Sequence, residues 1–145
     1  KGEFMSEILI RRANSVDADP VSKLLNQLGY ETPIDKLAAS LSSEQRNDEI
    51  YVYLLNNRIV GVMSLMCFDY FPSLQRICRI TAIVVDESAR GYGVGTALIR
   101  FAKQHALEHC CEILEVTTSL KRDKTHKYYE SIGFSKSSYR YFQHL

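Results

Sequence analysis

The sequence has no excess of charge of either sign: 18 Lys and Arg stand against 17 Asp and Glu, for a formal net charge of +1. A general nucleic-acid binder needs a basic surface to displace counterions, so the balance excludes one. Apolar residues make up 46% of the chain but never form a run long enough to span a bilayer, so no membrane association is expected. A secretory signal pattern is missing too, which points to the cytoplasm. The four cysteines, Cys67, Cys78, Cys110 and Cys111, include no C-x-x-C pair, and the adjacent two cannot easily bridge each other. Free thiols in a reducing compartment are therefore expected, not a disulfide framework. No low-complexity linker or internal repeat interrupts the chain. Its 145 residues, 24% of them charged, read as one globular domain over residues 5–145. Lys1-Gly2-Glu3-Phe4, ahead of Met5, read as a vector-derived remnant.

What is present is a clear order of elements. Residues 7–12 alternate as a strand. Asn14 or Ser15 precedes a helix over 17–28, where Val21, Leu24, Leu25 and Leu28 recur at helical spacing and Gly29 ends the run. Thr32-Pro33 opens a second helix to about Ser42. Strands over 49–55 and 58–68 are joined by Asn56-Asn57, a hairpin turn pair. A loop with Tyr70, Phe71 and Pro72 leads to a strand over 76–85, then a helix to about His109 and a strand over 112–118. A short helix over 124–131 stops at Gly133, and residues 134–143 supply one or two closing strands. Hairpins and crossovers together predict an α/β (α+β) fold with a mixed sheet and helices on its faces.

The most informative segment is Val84-Val85-Asp86-Glu87-Ser88-Ala89-Arg90-Gly91-Tyr92-Gly93-Val94-Gly95-Thr96. A β-branched run enters a turn with three alternating glycines, and the turn opens a helix. The glycines permit positive φ and leave backbone N–H groups uncovered at a helix start, where the dipole is positive. Such a turn binds phosphate through main chain alone. A dinucleotide fingerprint is excluded, because Leu98 stands at the third glycine and no acidic residue ends a following strand. A nucleoside-triphosphate loop is excluded because no Gly-Lys-Ser/Thr follows.

A second motif, Tyr128-Tyr129-Glu130-Ser131-Ile132-Gly133-Phe134, follows one strand later. In this order the two motifs resemble the GCN5-related N-acetyltransferase superfamily, across essentially the whole native chain. Residues 117–129 are further similar to aminoalkylphosphonate and small-amine N-acetyltransferases. The resemblance implies a mixed, mostly antiparallel sheet of six or seven strands flanked by four helices, ordered β-α-α-β-β-β-α-β-α-β-β. It implies direct transfer of an acetyl group from acetyl-CoA to a primary amine of a small molecule, by a monomer or homodimer. Acylation of a protein or peptide, or a non-catalytic acyl-CoA-binding regulatory module, are the alternative readings.

Under this resemblance Arg90, Gly91, Gly93, Val94, Gly95 and Thr96 wrap the CoA diphosphate. Main-chain groups of Ile83, Val84 and Val85 pair with the pantetheine arm, and one N–H polarises the thioester carbonyl. Tyr129 protonates the departing thiolate; a core aromatic is its other reading, and Tyr128 reads as packing. Tyr30, Asp69 and Tyr70 sit in loops that border the acceptor site. Arg79 either pairs with an anionic substrate group or forms a salt bridge on the sheet. Residues 79–82 lack the carboxylate that many members carry there, leaving a water chain, an acid such as Asp69 or Glu31, or a substrate of lowered pKa to take the proton.

His105-Ala106-Leu107-Glu108-His109 matches a zinc-protease pattern, H-x-x-E-H. Its helix is committed to phosphate binding, and no acidic ligand helix follows it. The histidines read as surface residues favourable to the helix C-terminus, and no metal is expected.

Overall fold

The computed structural model describes residues 7–118, 123–138 and 140–145. The reading of residues 1–4 lies outside them, as do residues 119–122 of the segment compared with small-amine acetyltransferases. The elements are β1 (Ile8–Arg12), α1 (Ala18–Leu28), α2 (Ile34–Ser42), β2 (Glu49–Leu55), β3 (Arg58–Tyr70), β4 (Gln75–Val85), α3 (Val94–Glu108), β5 (Ile113–Val116) and α4 (Asp123–Ser131). They form one five-stranded sheet in sequence order, antiparallel except for the β4–β5 pair.

The alternation of side chains along β2, β3 and β4 divides the core into two layers. Tyr51, Tyr53, Met63, Leu65, Cys78 and Ile80 face Leu98, Ile99 and Ala102 of α3. Val52, Val62 and Val84 face Val21 and Leu24 of α1 and Leu37 of α2. Gly61 sets how close α3 lies: an added Cβ would come within 3.2 Å of Leu98 and 3.3 Å of Val94. Thr81 is the extra residue of a bulge, since Ser64 pairs with Ala82 and Leu65 with Ile80.

Local chemistry explains the boundaries. Asn14 and Asp17 form a capping box around a short 3-10 turn that leads into α1. Asp17, 4% exposed, also takes two bonds from Arg11, at 2.7 and 2.9 Å. Gly29 ends α1 at φ 106°. Asn56 and Asn57 both adopt positive φ, as the tight β2–β3 hairpin requires.

The closing strands are a correction. The described residues hold five strands, not six or seven, and none lies in residues 134–138 or 140–143. Gly133, at φ 101°, turns the chain back so that Phe134 packs edge-on against Tyr129. Tyr141 and Phe142 beyond it are 91% and 69% exposed. Among the described residues they pair with no strand, and strand propensity is realised only in a ladder.

Candidate active site

The site begins where β4 loses a partner. β5 pairs with β4 only from Ile77–Ile113 to Ile80–Val116. β3 continues alongside β4 as far as Val85, so beyond Ile80 one edge of β4 has no strand neighbour among the described residues. Ile83 and Val85 pack toward α3 while Val84 is buried toward α1. The edge is therefore held rigidly from both faces.

It runs straight into the glycine turn. The Asp86 side chain accepts from Ser88 N and from Gln27 Nε2 of α1, and Gln27 Oε1 accepts from Glu87 N. The Ser88 side chain first, and Gln27 second, hold the Asp86 carboxyl below its ordinary pKa. Arg90 Nε donates to the Val85 carbonyl at 3.1 Å. Gly91 and Gly93 have φ of 85° and 83°. Gly95 does not: it lies in the first turn of α3, where a Cβ would meet only ordinary contacts at 3.9 Å. Gly93 is the N-cap and offers no side chain, and the first amide to bond back within α3 is that of Ala97, to the Gly93 carbonyl. The amides of Val94, Gly95 and Thr96 are thus the donors a helix start leaves over.

The two tyrosines divide differently from a simple acid-plus-packing pair. Tyr129 is 7% exposed and joins the α3-side core through Phe134. Tyr128 is half-exposed, and its hydroxyl shares a 2.8 Å hydrogen bond with Thr96 Oγ1. The sequence reading gave Tyr128 no polar role; its signal is the hydroxyl-bearing Thr96 in the first turn of α3.

Around β4 the structure separates the four acceptor-side candidates. Arg79 forms an ion pair with Glu115 of β5 and lies over the Phe68 ring at 4.8 Å. Ser64 and Thr81 share a hydrogen bond two residues further along β4. Arg79 and Glu115 stand on the same rung of the β4–β5 ladder, and Arg79 pairs across to Met66 of β3. Met66 in turn floors a shallow pocket with Ser40, Arg46 and Asp48. Asp69 falls on the opposite face, paired with Arg76 at 3.2 Å, and is not brought to Arg79. Tyr30, just past α1, and Tyr70, at the end of β3, are exposed. The sequence reading did not single out Glu115, which the structure sets beside Arg79. Only the strand register reveals it.

A profile of the acetyltransferase (GNAT) family matches residues 18–134. The chain belongs to that family. It is an acetyltransferase, and among its relatives is the aminoalkylphosphonate N-acetyltransferase of Salmonella typhimurium, 29% identical over 141 residues that cover 94% of this chain and 90% of that one. A solved transcriptional regulator from Bacillus halodurans superposes with a TM-score of 0.83 at 23% identity, covering 96% of this chain and all of that one. The aminoglycoside N-acetyltransferase AAC(6')-Iy, solved in complex with CoA, gives a TM-score of 0.82 at 19% identity, covering all of this chain and 99% of that one. Both structures share the fold.

The two buried cysteines of this acetyltransferase, Cys78 and Cys111, are poor nucleophiles. Burial, then Cys67, pushes the Cys78 thiol up to about 12; burial and Cys67 push Cys111 up to about 11. Both are protonated near neutral pH, and a thiol attacks only as the thiolate.

Proposed function

We propose that this acetyltransferase moves an acetyl group from acetyl-CoA directly to the primary amine of a small molecule that also carries an anionic group. The observation that carries the reading is the open β4 edge at Ile83–Val85, which ends at a glycine turn and an uncapped helix start. The amides of Gly91, Gly93, Val94, Gly95 and Thr96 suit a diphosphate, with Arg90 adding positive charge beside it. The edge suits an extended arm that hydrogen-bonds like an added strand. Acetyl-CoA supplies the activated thioester, and a main-chain N–H of the edge stabilises charge that develops on its carbonyl oxygen.

The amine nitrogen attacks the carbonyl carbon as the carbon–sulfur bond breaks. Tyr129 gives a proton to the departing sulfur. The ammonium proton goes to Glu115, directly or through water. An acceptor anion competes for Arg79 and releases Glu115 from its ion pair. This account draws support from the name of the Salmonella relative, whose substrate class combines an amine with an anion. Tyr30 and Tyr70 are the remaining acceptor-side candidates. Four free thiols suit a reducing cytoplasm.

The test measures free CoA with a thiol reagent while the protein meets acetyl-CoA and a panel of aminoalkylphosphonates, aminoglycosides, neutral amines and peptides. Release dependent on the anionic amines is expected. Release only with peptides would move the assignment to protein acylation, and tight CoA binding with no amine-dependent release would remove the small-amine reading.

A further inference from the structure

A second cluster lies at the other end of α3. We infer that Glu49, His105 and His109 form a binding site for a divalent transition-metal ion of the zinc class, separate from the acyl-transfer cleft. His105 sits in the last turn of α3 and His109 caps it, four residues on, so both rings leave one side of the helix. Glu49, the first residue of β2, faces them from the sheet. One ligand atom from each of the three lies within 4.8 Å of the other two.

The groups around these side chains are those that orient metal ligands. His109 Nδ1 lies 2.8 Å from the His105 carbonyl, so Nδ1–H donates there and the lone pair is left on Nε2. Glu49 Oε1 accepts from the Tyr51 hydroxyl at 2.6 Å and from Arg12 at 3.1 Å. That leaves Glu49 Oε2 turned to His105 Nε2, at 3.8 Å. A separation of 3.8 Å is too long for a hydrogen bond, so the two atoms face each other without bonding. His105 is 6% exposed, a buried ring where the sequence reading expected a surface one. The His105 and His109 rings stack at 4.0 Å.

Two imidazoles and one carboxylate suit zinc and its neighbours, with a fourth position for water. Tetrahedral ligands at about 2.0–2.2 Å from zinc stand roughly 3.3 Å apart, so the shell must contract by up to about 1.5 Å. A shift of the exposed His109 side chain as a whole toward Glu49, keeping its Nδ1–H near the His105 carbonyl, provides that. The exposed side of His109 is also the entry path. His105 is nine residues past Thr96, about 14 Å along the helix axis, so the ion does not reach the phosphate turn. Its consequence is to tie the end of α3 to the start of β2.

The test uses the full chain stripped with a chelator, then titrated with Zn²⁺ by calorimetry and with Co²⁺ by visible absorption. One ion per chain, a cobalt spectrum of low coordination number and a rise in melting temperature with Zn²⁺ are expected. His109→Ala and Glu49→Gln should each weaken Zn²⁺ binding by at least about tenfold and leave CoA affinity unchanged. His109 is exposed, so its variant keeps the test sound if Glu49→Gln, which also loses Arg12 and Tyr51, fails to fold. No uptake by the wild type overturns the site. So does uptake that survives His109→Ala but is lost in Cys110→Ser, which would assign the ion to the exposed thiol.

Discussion

The Tyr128 hydroxyl and Thr96 Oγ1 lie 2.8 Å apart although 32 residues separate them in the chain. The bond latches α4 onto the first turn of α3, beside the amides left free at that helix start. Tyr129, next in sequence, is buried, and its ring lies 5.6 Å from that of Tyr128.

The two tyrosines should therefore fail differently. Tyr128→Phe loses one exposed hydrogen bond, about 1 kcal/mol, and is expected to weaken CoA binding several-fold with little change in turnover at saturation. Tyr129→Phe should cut turnover by on the order of 10²-fold and leave CoA affinity nearly intact. Steady-state kinetics beside CoA calorimetry separates the two. Equal turnover of Tyr129→Phe and wild type at every pH would remove its acid role.

The glycines of the phosphate turn separate strain from access. Gly93→Val forces a β-branched residue to φ near 83°, costing about 1–3 kcal/mol of stability as well as CoA affinity. Gly95→Ala meets no backbone strain and only ordinary Cβ contacts, so it should fold normally, and Gly95→Val, with two further methyls beside the free amides, should lose CoA binding. Thermal melts and calorimetry on these variants provide the check. Unchanged affinity in the two valine variants together would count against the turn as the diphosphate site.

Arg79 and Glu115 should divide binding from chemistry. Arg79→Ala is expected to raise KM for an anionic amine more than for a neutral amine of similar length. Glu115→Gln should lower kcat/KM by on the order of 10²-fold near neutral pH and recover as pH approaches that of the free amine. A Glu115→Gln profile parallel to wild type across pH would return the proton to a water chain or to the substrate.

Acid should expose the Asp17 contact. The Arg11 hydrogen bonds hold the Asp17 carboxyl below its ordinary pKa, against a smaller opposing effect of burial. A lowered native value means that the contribution is complete above the unfolded carboxylate pKa of about 3.9 and is lost as pH falls through the native one. Asp17→Asn should cost about 1–3 kcal/mol at neutral pH, and its deficit relative to wild type should shrink below about pH 4. Urea unfolding of both proteins across that range measures it.

How much was legible in the sequence depends on how local each signal is. The helix over 17–28, the Asn56-Asn57 hairpin and the glycine turn each rest on neighbours within a few residues, and each appears where it was read, α1 starting one residue later after the 3-10 turn. Glu115 does not belong to any local pattern. It becomes relevant because β4 and β5 pair in parallel and set it beside Arg79, 36 residues away. Glu49 meets the α3 histidines by the same kind of long-range placement. The C-terminal alternation misled for the converse reason: Phe134 packs against Tyr129, and the described residues after it join no strand.

The short β4–β5 ladder has one more effect. Among the described residues the main-chain groups of this β4 edge, apart from the Val85 carbonyl that Arg90 occupies, are open to an extended segment, including one from another copy of the chain. Coenzyme bound along that edge, as proposed, would therefore also cover a site of self-association during purification and storage.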